Sequence, residues 1–123
     1  RLYLGNTHMH ATYRGNYHST KLAQARQLVP WALRVQATGC PALWMGDWNN
    51  RPDNDILAPL VEAGGWELLT GDRTAIDHIF GSGVGWEWRV VGQGNHNGTL
   101  DGDRETPWSD HAARWVEVEL RRL

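Results

Sequence analysis

The chain has 123 residues, 41% hydrophobic and 21% charged, the balance of one folded domain rather than a disordered segment. No apolar run nears the roughly 18 residues of a membrane span, and a net charge of −2 carries no whole-domain basic footprint for nucleic acid. One cysteine, Cys40, excludes an internal disulfide, and eight Trp point to aromatic packing.

Residues 2–10 read as a strand, with Leu2 and Leu4 alternating with Tyr3. Residues 14–16 fall in a short loop. Ser19 is the expected N-cap of a helix over 20–38, with Gly39 as its stop. Leu22, Ala25, Leu28, Val29, Ala32, Leu33 and Gln36 recur at helical spacing on its inward face. Pro30 removes one backbone donor there, which predicts a kink or two helical pieces. Residues 42–45, between Pro41 and Gly46, read as a buried strand. A turn-rich loop runs to residue 54, and a second helix is expected over 55–63, closed by Gly64 and Gly65. Residues 66–69, 76–80 and 86–91 read as strands. Residues 92–108 read as one long polar loop, a length usually tied to function. In 113–120, Trp115, Glu117 and Glu119 alternate with Val116, Val118 and Leu120, which suits a strand with one wet face.

Three polar clusters follow strands. In Asn6-Thr7-His8-Met9-His10, the two imidazoles are two residues apart and share a face if the strand continues through them. Such a pair suits a metal or a phosphate, or one buried and one surface histidine. In Gly46-Asp47-Trp48-Asn49-Asn50-Arg51-Pro52, Asp47 and Asn49 present a carboxylate beside an amide. That pair can hold a hard cation and orient a water, or simply form a turn. In Ser109-Asp110-His111, an adjacent carboxylate and imidazole can divide metal binding from proton transfer. A further carboxylate, Asp77, lies inside the apolar run Ile76-Asp77-His78-Ile79-Phe80. It is costly there unless paired, and orienting a histidine is one way to pair it.

In order, N-T-H-x-H, G-D-W-N-x-x-P, I-D-H-I-F and S-D-H closely resemble the endonuclease/exonuclease/phosphatase superfamily, from about residue 2 to residue 120. The resemblance implies an α/β chain that is half of a four-layer α/β/β/α sandwich, the C-terminal half. It implies a divalent-metal-dependent phosphoesterase acting on phosphodiesters or phosphomonoesters through an activated water, with endonuclease or exonuclease activity among the readings. His8 matches the histidine that contacts the scissile phosphate. Asp47 and Asn49 match the pair that orients the attacking water and positions metal and phosphate. Asp77 matches the partner of the catalytic histidine, His111 that histidine, and Asp110 a metal-binding aspartate. Trp48 matches an aromatic packing position, and His78 takes no catalytic role. Oxygen-rich ligands favour Mg²⁺ or Mn²⁺.

Family members are about twice as long, and their first half supplies a metal-binding Asn and Glu that no segment here matches. Position 1 is Arg rather than Met, so an upstream part is expected to have been cleaved or left out. The expected partners are therefore a phosphate-ester substrate, with nucleic acid in view, and a separate N-terminal half or a second copy of the chain. Without the second sheet, residues 42–45 and 76–80 are expected to leave a large apolar face in water. Arg14, Lys21, Arg51, Arg73 and Arg104 flank the motif loops, as phosphate contacts or as solvated surface. Trp86, Trp88 and Trp108 suit packing more than stacking on a ligand. Two other classes stay open: a non-catalytic phosphate- or nucleic-acid-binding half-domain, and a metal-dependent amidohydrolase built on the His-x-His pair. The second needs about 250 residues and further histidines on later strands.

Overall fold

The computed structural model of the chain describes residues 1–11, 17–98, 106–107 and 109–123. Arg14, Arg104 and Trp108 lie outside the described residues. Strand β1 (Tyr3–His8) leads to helix α1 (His18–Ala37) and strand β2 (Ala42–Asp47). Helix α2 (Ala58–Gly64), strand β3 (Glu67–Leu68) and strand β4 (Asp77–Ser82) follow, and the chain ends in β5 (Trp86–His96) and β6 (Ala113–Arg122).

Four strands form one sheet in the order β1-β2-β4-β3, with β1 and β2 parallel and the other pairs antiparallel. Alternation gives the sheet two distinct faces. Trp44, His78, Phe80 and Ser82 are buried on one. Against that face lie Ala25, Ala32 and Val35 of α1 and Leu57 and Leu60 next to and within α2. The indoles supply most of this core: Trp44 stacks on Trp66 at 4.8 Å, and Trp48 meets both Trp66 and Phe80 edge-on at 5.5 Å.

Helix α1 starts at His18, not residue 20, and no side chain caps it. The Lys21 N–H bonds the Tyr17 carbonyl at 2.9 Å, which carries the helix past Ser19. Pro30 sits on the exposed side of an unbroken helix, so two pieces do not form. Helix α2 starts three residues later than expected. The Asn54 side chain accepts the N–H groups of Ile56 and Leu57 and holds 54–57 as a turn.

The opposite face carries Leu4, Leu43, Met45 and Ile79, paired in register across β1, β2 and β4. Here the expectation of a missing second sheet is corrected in part. Strands β5 and β6 form a separate antiparallel pair, and Trp88 of β5 lies against Gly81 of β4, so close that a Cβ there would meet the ring at 2.8 Å. Leu43, Met45 and Ile79 are half-buried, while Leu4 remains 68% exposed.

Strand β5 also corrects the long-loop expectation, because it continues to His96. The glycines that suggested a loop have a packing role. Gly92 and Gly94 lie beneath the Trp115 ring of β6, and a Cβ at Gly94 would meet it at 3.0 Å. No helix among the described residues is long and apolar enough to cross a membrane.

Candidate active site

Strand pairing assembles the site before any loop contributes. His8 closes β1, Asp47 closes β2 and Asp77 opens β4. In register, His8 pairs with Asp47 and Asp47 with Asp77, so all three side chains share one edge and one face. Gly46 allows the strand to end this way. Its φ is +145° and a Cβ would collide with the Thr7 carbonyl oxygen, so the glycine of G-D-W-N is required by β1 running alongside.

His111, just before β6, completes the row. Its Nδ1 lies 2.9 and 3.1 Å from the two oxygens of Asp77. Nδ1 therefore carries the proton given to Asp77, and Nε2 is turned toward Asp47, whose Oδ2 is 3.7 Å away. The His8 Nε2 lies 3.6 Å from the same oxygen. Asp47 thus sits between two imidazoles. The hydrogen bond and charge of Asp77 raise the His111 imidazole above its ordinary value of 6.5, and Asp47 and Asp110 push the same way against partial desolvation.

Asn49 is built into the backbone. Its φ is +49°, its N–H donates to Asp47 Oδ1 at 2.9 Å, and its Nδ2 donates to the Met9 carbonyl at 2.7 Å. One of its two amide N–H groups is taken by Met9, and its side-chain oxygen can accept from a water or meet a cation. His8, Asp47, Asn49, Asp77, Asp110 and His111 line one open cleft of about 650 Å³. Every residue singled out for the site from sequence is therefore at one place.

His10 borders the same cleft as His8, but from beyond the strand rather than on it. Strand β1 ends at His8, Met9 turns into the core, and His10 packs its ring on Tyr17 at 4.1 Å. Trp48 is 1% exposed and donates to the His78 carbonyl, in line with a packing role. His78 is buried, with Nε2 3.0 Å from the Asn50 carbonyl, and burial lowers its pKa. Arg51 and Arg73 are exposed. Lys21 differs from these two: it is buried, and its Nζ donates to the Asn49 carbonyl at 2.9 Å. Sequence signal for it was limited to its place on the stripe that continues through Ala25, Ala32 and Val35.

The donors suit a hard cation. Single ligand atoms of Asp47, Asp77 and His111 lie within 4.8 Å of one another, and Asp110 borders the same cleft. Asp77 also bonds His111, and among the described residues Asp47, Asn49 and Asp110 are the other oxygen-bearing side chains of this cleft.

A mixed sheet with helices on one face and a polar row at the ends of adjacent strands places the chain among α/β folds. The chain belongs to the endonuclease/exonuclease/phosphatase family, whose model matches residues 3–111. Two solved structures from Bacteroides thetaiotaomicron share the fold. One is an endonuclease/exonuclease/phosphatase family protein, 17% identical with a TM-score of 0.62 over 95% of this chain and 50% of its own. The other is a mannosyl-6-phosphatase, 20% identical with a TM-score of 0.62 over 96% of this chain and 50% of its own. The chain thus spans about half the length of these relatives. No curated protein gives a significant sequence match.

Proposed function

We propose that the chain is the C-terminal half of a divalent-metal-dependent phosphoesterase that hydrolyses phosphate esters by direct attack of water. The observation that carries this reading is the row Asp77–His111–Asp47, with His111 Nδ1 bonded at 2.9 Å and Nε2 turned into the cleft.

The raised His111 is imidazolium to higher pH than an ordinary histidine. It donates from Nε2 to a phosphoryl oxygen, while Asp77 fixes the ring and compensates its charge. Asp47 Oδ2 faces the same space and accepts a proton from the attacking water, which the Asn49 oxygen helps to orient. His8, 77% exposed at the rim, adds a donor to the phosphoryl group. Asp110 and Asp47 would hold Mg²⁺ or Mn²⁺, and a bound cation would neutralise charge on the phosphoryl group. The family half outside these residues supplies the remaining ligands and covers the face that carries Leu4.

The protein with its complete family domain is to be assayed on p-nitrophenyl phosphate, bis(p-nitrophenyl) phosphate, single-stranded DNA and RNA, with Mg²⁺, Mn²⁺ or excess chelator. Hydrolysis of at least one ester, lost with chelator and regained with metal, is expected. Cleavage confined to the monoester excludes the nuclease reading. Full activity in chelator, or binding without turnover of any ester, overturns the proposal, the latter in favour of a binding half-domain.

A further inference from the structure

Lys21 occupies a position that ordinary helix and burial preferences disfavour. It lies in the first turn of α1, where the positive end of the helix dipole repels a cation, and no acidic side chain in that turn offsets it. It is also 6% exposed, on the stripe that elsewhere holds Ala25, Ala32 and Val35. A methionine or leucine would fill that space without desolvating a charge.

The ammonium group donates to the Asn49 carbonyl at 2.9 Å. Asn49 is the described non-glycine residue with positive φ, a conformation that persists only when its surroundings hold it. Its N–H orients Asp47 Oδ1, and its side chain ties the turn to the Met9 carbonyl. One turn further along α1, the Gln24 side chain accepts the His10 N–H at 3.0 Å. The start of α1 therefore holds both loops that bear the strand-end residues.

We propose that Lys21 is a positioning residue, whose buried ammonium clamps the Asn49 carbonyl and keeps the Asp47–Asn49 turn in its reactive conformation. Its kinetic consequence rests on the phosphoesterase reading given above, whereas the clamp rests on geometry alone. The charge-assisted bond matters through the carboxylate that Asn49 orients, so its loss changes turnover more than substrate affinity.

The test compares Lys21→Met and Lys21→Arg in the full-length protein, with bis(p-nitrophenyl) phosphate and p-nitrophenyl phosphate as probes at saturating Mn²⁺. Backbone and side-chain amide resonances of Asn49 are followed by NMR without metal. Lys21→Met is expected to lower kcat at least 20-fold with KM within threefold and to shift the Asn49 resonances, and Lys21→Arg to restore most of kcat. A folded Lys21→Met protein with kcat within threefold of wild type, or with unmoved Asn49 resonances, overturns the proposal. If Lys21→Met does not fold, Lys21→Gln is read by the same criteria. If the wild type hydrolyses neither ester, the phosphoesterase reading is what fails, and the Asn49 resonances alone decide the clamp.

Discussion

Asp77 and His111 are 34 residues apart in the chain, and Asp77 Oδ2 lies 2.9 Å from His111 Nδ1. The first residue of β4 and the residue two before β6 are thus joined across the seam between the two sheets. The pair ties the β5–β6 layer to the sheet that bears Asp47.

If these two groups act as a unit, their losses will not add. His111→Ala is expected to lower kcat by about 10²–10⁴-fold, and Asp77→Ala by a comparable factor. The double variant should be little slower than the slower single one. A double-mutant cycle in kcat with metal saturating is the measurement, and strictly multiplicative losses would show two independent roles.

Opposite pH trends are expected from the two histidines. His111 is raised above 6.5 in the folded chain, so its stabilising contribution is complete below 6.5 and is lost as pH climbs through the folded value. His78 is lowered by burial, so the unfolded chain binds the extra proton, and stability is lost as pH falls below 6.5. Urea denaturation between pH 5 and pH 8 should therefore flatten on the alkaline side in Asp77→Asn and on the acid side in His78→Gln. In activity, Asp77→Asn should move the alkaline limb to lower pH, because the imidazolium then loses its proton sooner.

Gly46→Ala should be among the most damaging single-methyl changes in the chain. A φ of +145° and the Thr7 carbonyl leave no room for the methyl. The expected cost is about 2–5 kcal/mol, combining backbone strain with overpacking. Denaturant midpoints at unchanged slope would measure it, and a shift under about 1 kcal/mol would contradict the close approach of β1.

Metal removal and ligand changes should separate. Calorimetric titration with Mn²⁺ is expected to show weaker binding by about tenfold or more in Asp110→Asn and Asp47→Asn. Asp77→Asn should keep most of the affinity, because its carboxylate is engaged by His111. Equal loss in all three would place Asp77 among the ligands instead.

The exposed side of the four-stranded sheet yields a prediction about association. Leu2 and Leu4 of this region are 47% and 68% exposed, and β5 and β6 cover only part of the face. Residues 1–123 alone are expected to self-associate at high concentration, and Leu4→Lys to reduce this. Light scattering reads both, and a stable monomer without substitution would mean that the hairpin layer suffices.

Much of the site was legible because it is written in short local patterns. An apolar run stopping at Gly46-Asp47, and a carboxylate interrupting an apolar run at Asp77, mark strand ends and a buried group that needs a partner. Period-two alternation then places His8, Asp47 and Asp77 relative to their own strands. The Trp-rich core and the end of α1 before Gly39 follow from similarly local rules. Local preference misleads where a neighbour distant in sequence overrides it. Gly92 and Gly94 read as loop residues, yet they lie in β5 beneath the Trp115 ring. His10 reads as a strand residue, yet β1 ends at His8, where its pairing with β2 stops at Asp47.

By itself, then, the sequence determined most of the element order, the strand ends that carry the polar residues, and the family to which they point. Only the tertiary structure decided that Asp47 stands between two imidazoles, that the β5–β6 pair covers β4, and that Lys21 is buried on the Asn49 carbonyl. Local patterns arise from backbone geometry within a few residues, whereas these contacts depend on register and packing between elements tens of residues apart. A lysine on a helix reads as solvated surface until the loop that it reaches has been folded against it.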